Sequence, residues 1–545
     1  YNPHQMMQRK TDGSTVGLSG TDMSAEALRQ ERPQQPLPTL TVLYHPNLHR
    51  IGNLLPLAEL SFGREALISR YQPELRAPGQ LVGEPLADPY ISRRPVRLRA
   101  TADGGVEILL GESRTSVVAQ GTSILQASTF SRQEVDRGVT LELAARVVLL
   151  LHRAVIVPVR MPPPFGLIGD SAGLVRVRAD VQRVADLEVP VLLRGETGTG
   201  KELVARAIHG ASSRSRGTFL AVNLGAIPPA LSASELFGSL KGAFTGSVAH
   251  QDGYFRRAHG GTLFLDEIGE APPEVQVMLL RALETGEIFP VGSQTPQHVD
   301  VRVIAATDAD LEDRVRSGSF RGPLLHRLSG YEIWLPPLRE RRDDVGRLLL
   351  HFLREELARI DEPWRLNPDD PDCNPLWLRP HLVARLARYD WPGNVRQLRN
   401  VARQLVIGSR GLPVLETGPQ VERLLREHAG ATSESRLSAD TPESGVAKGT
   451  REWRKPSEIG EDELLSALRL NRWDLKATSA YLHVSRTSLY ALVESCPKVR
   501  TVTELSTDEI TRCHTDCGGD LDAMAERLEV SKRGLARRLR ELGLA

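Results

Sequence analysis

Eight consecutive residues in this chain have the types and spacing of a phosphate-binding loop. Gly195-Glu196-Thr197-Gly198-Thr199-Gly200-Lys201-Glu202 follows the apolar run Val189-Pro190-Val191-Leu192-Leu193, so the loop is expected to leave a buried strand and open a helix. Glycines let the backbone turn its N–H groups toward an anion, the helix N-terminus adds its dipole, and Lys201 reaches the terminal phosphates. Glu202 stands where a hydroxyl ordinarily touches magnesium. Further along, Gly261-Thr262-Leu263-Phe264-Leu265-Asp266-Glu267 reads as a second buried strand ending in two carboxylates. Asp266 suits a Mg2+ ligand, and Glu267 suits a base that orients and deprotonates water. The two motifs in this order predict a chain that binds and hydrolyses a nucleoside triphosphate with Mg2+.

Several elements must position these residues. A length of 545 residues exceeds what one hydrophobic core spans and predicts three domains. The net charge of +1 means that any nucleic-acid surface must be local. Four scattered cysteines do not make a disulfide framework. No apolar run reaches the roughly 18 residues of a membrane span, and the first residues lack the basic-then-apolar pattern of a leader, so a cytoplasmic protein without membrane contact is expected.

Residues 1–38 are rich in Gln, Ser, Gly and Pro without apolar period, as in disordered segments. Residues 39–153 carry short apolar runs at 40–44, 95–99, 106–110, 138–143 and 147–151, with the turn Asp103-Gly104-Gly105, and predict an all-β sandwich. A hinge at 154–167 contains Met161-Pro162-Pro163-Pro164. From 168 to 412, strands at 218–222, 262–265 and 301–306 alternate with helical stretches, the pattern of a parallel α/β sheet wrapped by helices. Residues 413–460 finish a helix and run into a polar linker, and 461–545 are helical again.

That tail repeats itself. An offset of 46 aligns Asp462-Glu463-Leu464 with Asp508-Glu509-Ile510, Leu482 with Leu528, Val484-Ser485 with Val530-Ser531 and Leu489 with Leu535, without a gap. Each copy places Val-Ser before a basic helix, the texture of a helix-turn-helix whose second helix is capped by Ser485 or Ser531. A plain αα-hairpin would explain one copy, but two in register, both opening on cations, argue for DNA. Arg486 and Thr487 in the first copy and Lys532 and Arg533 in the second are candidate base contacts. Arg537 and Arg538, further along, suit phosphates of double-stranded DNA.

The segment 168–412 resembles the AAA+ module of bacterial enhancer-binding proteins, the activators of sigma-54 RNA polymerase. Its most specific element is Gly242-Ala243-Phe244-Thr245-Gly246-Ser247, similar to the family's GAFTGA loop, with Ser247 replacing the final Ala. The resemblance implies that this loop contacts sigma-54 and pushes it when ATP is hydrolysed. A monomer would gain nothing by exposing Phe244, which suits such a contact. The resemblance also implies that Asn223 hydrogen-bonds catalytic Glu267, that Thr307 ends the sensor strand, and that Arg321 and Arg327 are arginine fingers. Arg396, in Trp391-Pro392-Gly393-Asn394-Val395-Arg396, matches the second sensor in a helical lid. Asp308 stands where the family has Asn, exchanging a donor amide for an acceptor-only carboxylate. Fingers supplied in trans imply a homo-oligomeric ring, expected to be a hexamer.

In the N-terminal region, Gly63-Arg64 and Ile91-Ser92-Arg93-Arg94 resemble the forkhead-associated (FHA) fold, which reads phosphothreonine. The resemblance implies that Arg64 and Arg93 clamp phosphate oxygens while Ser92 adds a hydrogen bond. Pro95 stands where that family's S-R-x-H motif has His. A domain of this kind without phosphopeptide binding would act through protein contacts that control assembly.

The expected architecture is multidomain: an FHA-like β-sandwich, a central α/β AAA+ P-loop ATPase with a helical lid, and an all-α tail of tandem Fis-type helix-turn-helix repeats. The expected activity is ATP-driven remodelling of sigma-54 holoenzyme from an upstream DNA site. Two other readings compete. A DNA-binding regulator with a decayed ATPase is favoured by Asp308 and opposed by the GAFTGS loop. An AAA+ remodeller of other proteins is opposed by the DNA-binding tail.

Overall fold

The computed structural model describes residues 35–155, 161–242, 250–366 and 377–426, and in the tail 461–470, 505–517, 521–528 and single positions up to 542. Most of the segment expected to be disordered, the centre of the Pro-rich hinge and the polar linker lie outside the described residues. The chain forms two compact units, Tyr1–Ala439 and Asp440–Ala545.

The first ten strands build two antiparallel sheets. In chain order they are β1 (Leu37–Tyr44), β2 (Leu54–Pro56), β3 (Ala66–Ile68), β4 (Val96–Ala100), β5 (Val106–Leu109), β6 (Val117–Ala119), β7 (Thr122–Ser123), β8 (Ala127–Phe130), β9 (Val139–Leu143) and β10 (Val147–Ala154). One sheet runs β2-β1-β10-β9-β6-β7 and the other β3-β4-β5-β8. Side chains alternate across a strand, so β10 sends Val147, Leu149 and Leu151 into the core between the sheets and Val148 and Leu150 to the opposite face. β1 alternates likewise up to an irregularity between Val42 and Tyr44, so Leu40 and Val42 lie inside while both Leu43 and Tyr44 lie outside.

The outer face is covered by the lid. Leu43, Tyr44, Leu48, Ile51, Val148 and Leu150 share one apolar core with lid helices Val345–Arg359, Pro380–Arg388 and Asn394–Gly408. Six such side chains, at about 1.5 to 3 kcal/mol each, contribute on the order of 10 kcal/mol of burial before ordering costs are subtracted. Gly346 marks the closest approach, because a Cβ there would lie 2.3 Å from the Leu43 carbonyl oxygen. Asp344, at the start of the lid, accepts hydrogen bonds from the Asp170 and Ser171 backbone N–H groups at 2.7 and 2.9 Å and from the Ser171 hydroxyl at 2.6 Å. These bonds tie the lid to the entry of the ATPase segment.

The next strands are β11 (Val191–Arg194), β12 (Phe219–Asn223), β13 (Thr262–Asp266), a small hairpin of β14 (Glu287–Ile288) and β15 (Gln297–His298), then β16 (Arg302–Thr307) and β17 (Tyr331–Trp334). Five of them form a parallel sheet in the order β12-β13-β16-β11-β17. Leu192, Leu263, Leu265 and Ala305 point into one helix layer, and Leu193, Phe264, Ile304 and Ala306 into the other. Burial on both faces is what turns these strands into near-continuous apolar runs. Ligands bind such sheets beyond the carboxyl ends of the strands.

In the second unit, helices Glu461–Leu470, Thr507–Asp516 and Leu521–Leu528 are described. Two separate small cores occur there. One contains Leu464, Ala467, Leu482 and Leu489, the other Ile510, Cys513, Leu528 and Leu535, the same positions at the repeat offset of 46. No helix among the described residues is long and apolar enough to cross a membrane.

Candidate active site

The phosphate loop leaves β11 and enters helix Lys201–Gly210, with Gly195, Gly198 and Gly200 all at positive φ. Gly198 also meets the lid, since a Cβ there would lie 2.5 Å from the Gly393 carbonyl oxygen. Buried Thr199 donates its hydroxyl to the Glu196 carbonyl at 2.7 Å. The Lys201 ammonium donates to the Gly195 carbonyl at 2.7 Å and lies 3.4 Å from that of Glu196. Burial pulls the Lys201 pKa down, against the nearby carboxyls of Asp266, Asp308 and Glu267. Neutral carbonyls bind an ammonium less strongly than phosphate oxygens do, so Lys201 is primed to exchange partners.

The acidic pair closes the far side. β13 ends at Asp266, in register with Asn223 of β12. Burial pushes the Asp266 carboxyl up, while the Glu267 N–H donating at 3.0 Å and the Lys201 charge pull it down. Glu267 sits at φ 55°, ψ 46°, a left-handed conformation costly for a non-glycine and typical of functional positions. Gly225 makes room for its carboxylate, for a Cβ there would lie 2.2 Å from Glu267 Oε2. Asn223 differs from expectation. Its Oδ1 accepts from the Ala226 N–H at 3.2 Å, capping a short turn, and no hydrogen bond joins it to Glu267 among the described residues. Thr307, buried at the end of β16, accepts from the Gly195 N–H through its carbonyl at 3.2 Å. Asp308 accepts from the Thr197 hydroxyl, which gives the unusual carboxylate a donor. Glu202 is exposed and pairs with Arg206 at 2.8 Å.

A clip between loop and lid was not legible as such in the sequence. Arg339 grips Glu196 with two hydrogen bonds of 2.8 and 2.6 Å, which hold the Glu196 carboxyl below the usual carboxylate range. Fully buried Asn394 donates to Glu196 and to the Thr197 carbonyl, both at 3.1 Å, and accepts from the Leu338 N–H at 2.8 Å. Arg341 donates to the Thr199 carbonyl at 3.1 Å. Arg396, two residues past Asn394, uses its backbone N–H on the Gly198 carbonyl at 3.3 Å, leaving its exposed side chain beside the loop. The Trp-Pro-Gly-Asn run was the available signal: a turn whose Asn394 takes φ 51°.

Other expected residues fall elsewhere. Arg321 and Arg327 are exposed on either end of helix Gly322–Leu328, and neither bonds the phosphate loop of its own chain among the described residues. Arg327 donates to the Leu283 carbonyl at 3.0 Å. Gly242 is described with φ 81°, whereas Ala243, Phe244, Thr245, Gly246 and Ser247 lie outside the described residues, as do Arg486, Thr487, Lys532, Arg533 and Arg537. Arg538 is half-buried.

In the β region the strand register sets apart the residues expected to clamp phosphate. Pairing of Ala66 with Leu98 and Ile68 with Val96 puts Arg64 at one end of the β3–β4 ladder and Ser92 and Arg93 beyond the other. Glu65, next to Arg64, pairs with Arg99 at 2.7 Å, which fixes that end. The arginine adjacent to Ser92 is Arg70, whose N–H donates to the Ser92 carbonyl at 3.0 Å and whose Nε donates to the Ile91 carbonyl at 3.1 Å. Arg70, just past the end of β3, was not singled out in the sequence.

Two family models fall on the residues that build this site. Residues 167–334 match the Sigma-54 interaction domain and residues 339–434 the AAA+ ATPase lid domain. The DNA-binding transcriptional regulator NtrC of Escherichia coli K12 is 46% identical over 253 residues, covering 46% of this chain and 52% of the relative. The anaerobic nitric oxide reductase transcription regulator NorR of Salmonella paratyphi B is 38% identical over 330 residues, covering 60% and 62%. The chain thus spans about half to three-fifths of these relatives' lengths. A crystal structure of NtrX from Brucella abortus in complex with ADP is similar at 29% identity, covering 69% of this chain and 70% of that one with a TM-score of 0.43. The middle of this chain is a sigma-54 interaction domain of the AAA+ ATPase class, carried together with its lid.

Proposed function

We propose that this chain is a sigma-54-dependent transcriptional activator that binds DNA, assembles into a ring and spends ATP hydrolysis on remodelling sigma-54 RNA polymerase. The observation that carries the reading is the joint presence of a complete loop-and-carboxylate site and a GAFTGS segment inside the region matching the Sigma-54 interaction domain. In this reading Asp266 holds Mg2+, for which a strand-end carboxylate facing the phosphate loop is a fitting hard oxygen donor. Glu267 positions and deprotonates water, while Lys201 and Arg396 bind phosphate charge. The GAFTGS loop, far along the chain from the phosphates, acts on the partner. Thr245→Ala should therefore keep ATP hydrolysis within about twofold of the parent and abolish open-complex formation in transcription reconstituted with sigma-54 polymerase. Equal loss of both activities would sink the assignment.

DNA binding belongs to the tail, with Arg486, Thr487, Lys532 and Arg533 on bases and Arg537 and Arg538 on phosphates. Two cores at matched repeat positions support two copies of one motif. Regulation belongs to the β region as an FHA-like reader of phosphothreonine, with Ser92 and exposed Arg93 meeting the phosphate and Arg70 holding their loop. A phosphothreonine peptide selected from a library should lose at least about tenfold in affinity with Arg93→Ala, the worth of a charge-assisted hydrogen bond. Arg64→Ala should leave it unchanged. Loss in Arg64→Ala alone would restore the clamp expected from the dipeptide.

A further inference from the structure

The lid and the β region border a half-open cavity of about 890 Å³ whose lining includes neither the phosphate loop nor the Ser92 loop. Its size lies within the range of small-molecule sites. Seven arginines line it against four carboxyls. Arg137 and Arg153 come from the β region, Arg342 and Arg388 from the lid, and Arg339 from the segment that reaches the phosphate loop.

Most of these arginines have protein partners: Arg153 pairs with Asp136, Arg385 and Arg426 with Glu422, and Arg339 with Glu196. Arg342 donates to the Ala387 and Tyr389 carbonyls and to Asp390, yet its buried Nε has no partner. Burial lowers the Arg342 pKa, the Asp390 carboxylate opposes this, and the like charges of Arg339 and Arg137 add to the lowering. Arg137, exposed at the end of helix Arg132–Arg137, has no hydrogen bond or ion pair among the described residues. Arg137, set beside the guanidiniums of Arg342 and Arg339, is a favourable contact for an anion. Leu150, Leu425 and Tyr389 add an apolar patch to the wall, enough for a ring or short chain.

We propose that this cavity binds a small molecule carrying two or more phosphates, and that its occupancy regulates the ATPase through Arg339. Arg339 is the connection because the guanidinium that lines the cavity also holds Glu196 of the phosphate loop. An anion that draws Arg339 into the cavity loosens that clip, leaving Asn394 as the remaining side-chain partner of Glu196. The proposal stands independently of what the ATPase remodels.

The test uses the full chain with its nucleotide site saturated by a non-hydrolysable ATP analogue at fixed free Mg2+. Inorganic tripolyphosphate is titrated calorimetrically, with inorganic phosphate as the single-anion comparison. One saturable site is expected, tighter for tripolyphosphate, with affinity independent of analogue concentration. Arg137→Glu should weaken it at least tenfold without moving the melting temperature. Arg426→Glu, on a lining residue whose side chain is 78% exposed, serves as the second variant if the first does not fold. At saturating ATP, tripolyphosphate should change the hydrolysis rate of the parent and not of the variant. Binding that is absent, equal in parent and variants, or progressively displaced by more analogue would overturn the proposal.

Discussion

Glu267→Gln should bind ATP as tightly as the parent and release phosphate at least about a hundredfold more slowly, the usual contribution of a positioned general base. The amide keeps the shape and one acceptor oxygen of the carboxylate but cannot take the proton of the attacking water. The site is built around that carboxylate: its residue holds an unfavourable φ of 55°, and Gly225 leaves the space it fills. Lys201→Ala should behave differently. It removes the buried ammonium that now rests on the Gly195 carbonyl, and the loss should appear in nucleotide affinity first. Nucleotide affinity and phosphate release measured on both variants separate the two roles, and turnover at the parental rate in Glu267→Gln would remove Glu267 from the chemistry.

Arg321→Ala should cost on the order of a thousandfold in hydrolysis while nucleotide binding and melting temperature stay near the parent, because an arginine finger acts on transition-state charge. The Arg321 side chain is exposed and has no partner in its own chain among the described residues, so its removal leaves no broken contact behind. If the finger works between subunits, mixing Arg321→Ala with Glu267→Gln should recover activity that neither has alone. One supplies an intact site, the other an intact finger. Parent-like activity of Arg321→Ala, or no recovery on mixing, would make the residue an ordinary surface cation.

The parts of this protein that can be read from the sequence are those where one local rule decides. The phosphate loop and the carboxylate pair show because glycine spacing and a buried strand are both local signals. β1, β9 and β10 and the inner strands of the parallel sheet show because they are long and apolar. The strands β2, β3, β6 and β7 have two or three residues each, too few to display alternation. The clip of Arg339, Asn394 and Glu196 joins positions more than 140 residues apart, and no periodicity encodes such a pairing. Arg70 was hidden for a related reason, since its relation to Ser92 depends on the register of β3 on β4. Asn223 was expected to hold Glu267 and instead caps its own turn, a choice made by the Ala226 N–H three residues on.

The unbroken apolar run of β10 serves two cores at once, and this sets what can be exchanged between proteins. A β region lifted out at its own sheet edges would carry Leu43, Tyr44, Val148 and Leu150 into water, and the lid left behind would lose the floor on which its helices rest. The unit that packs as one piece is therefore the β region together with the lid. A different β region can stand in this place only with a matching lid, or with the outer face of its sheet repainted with polar residues.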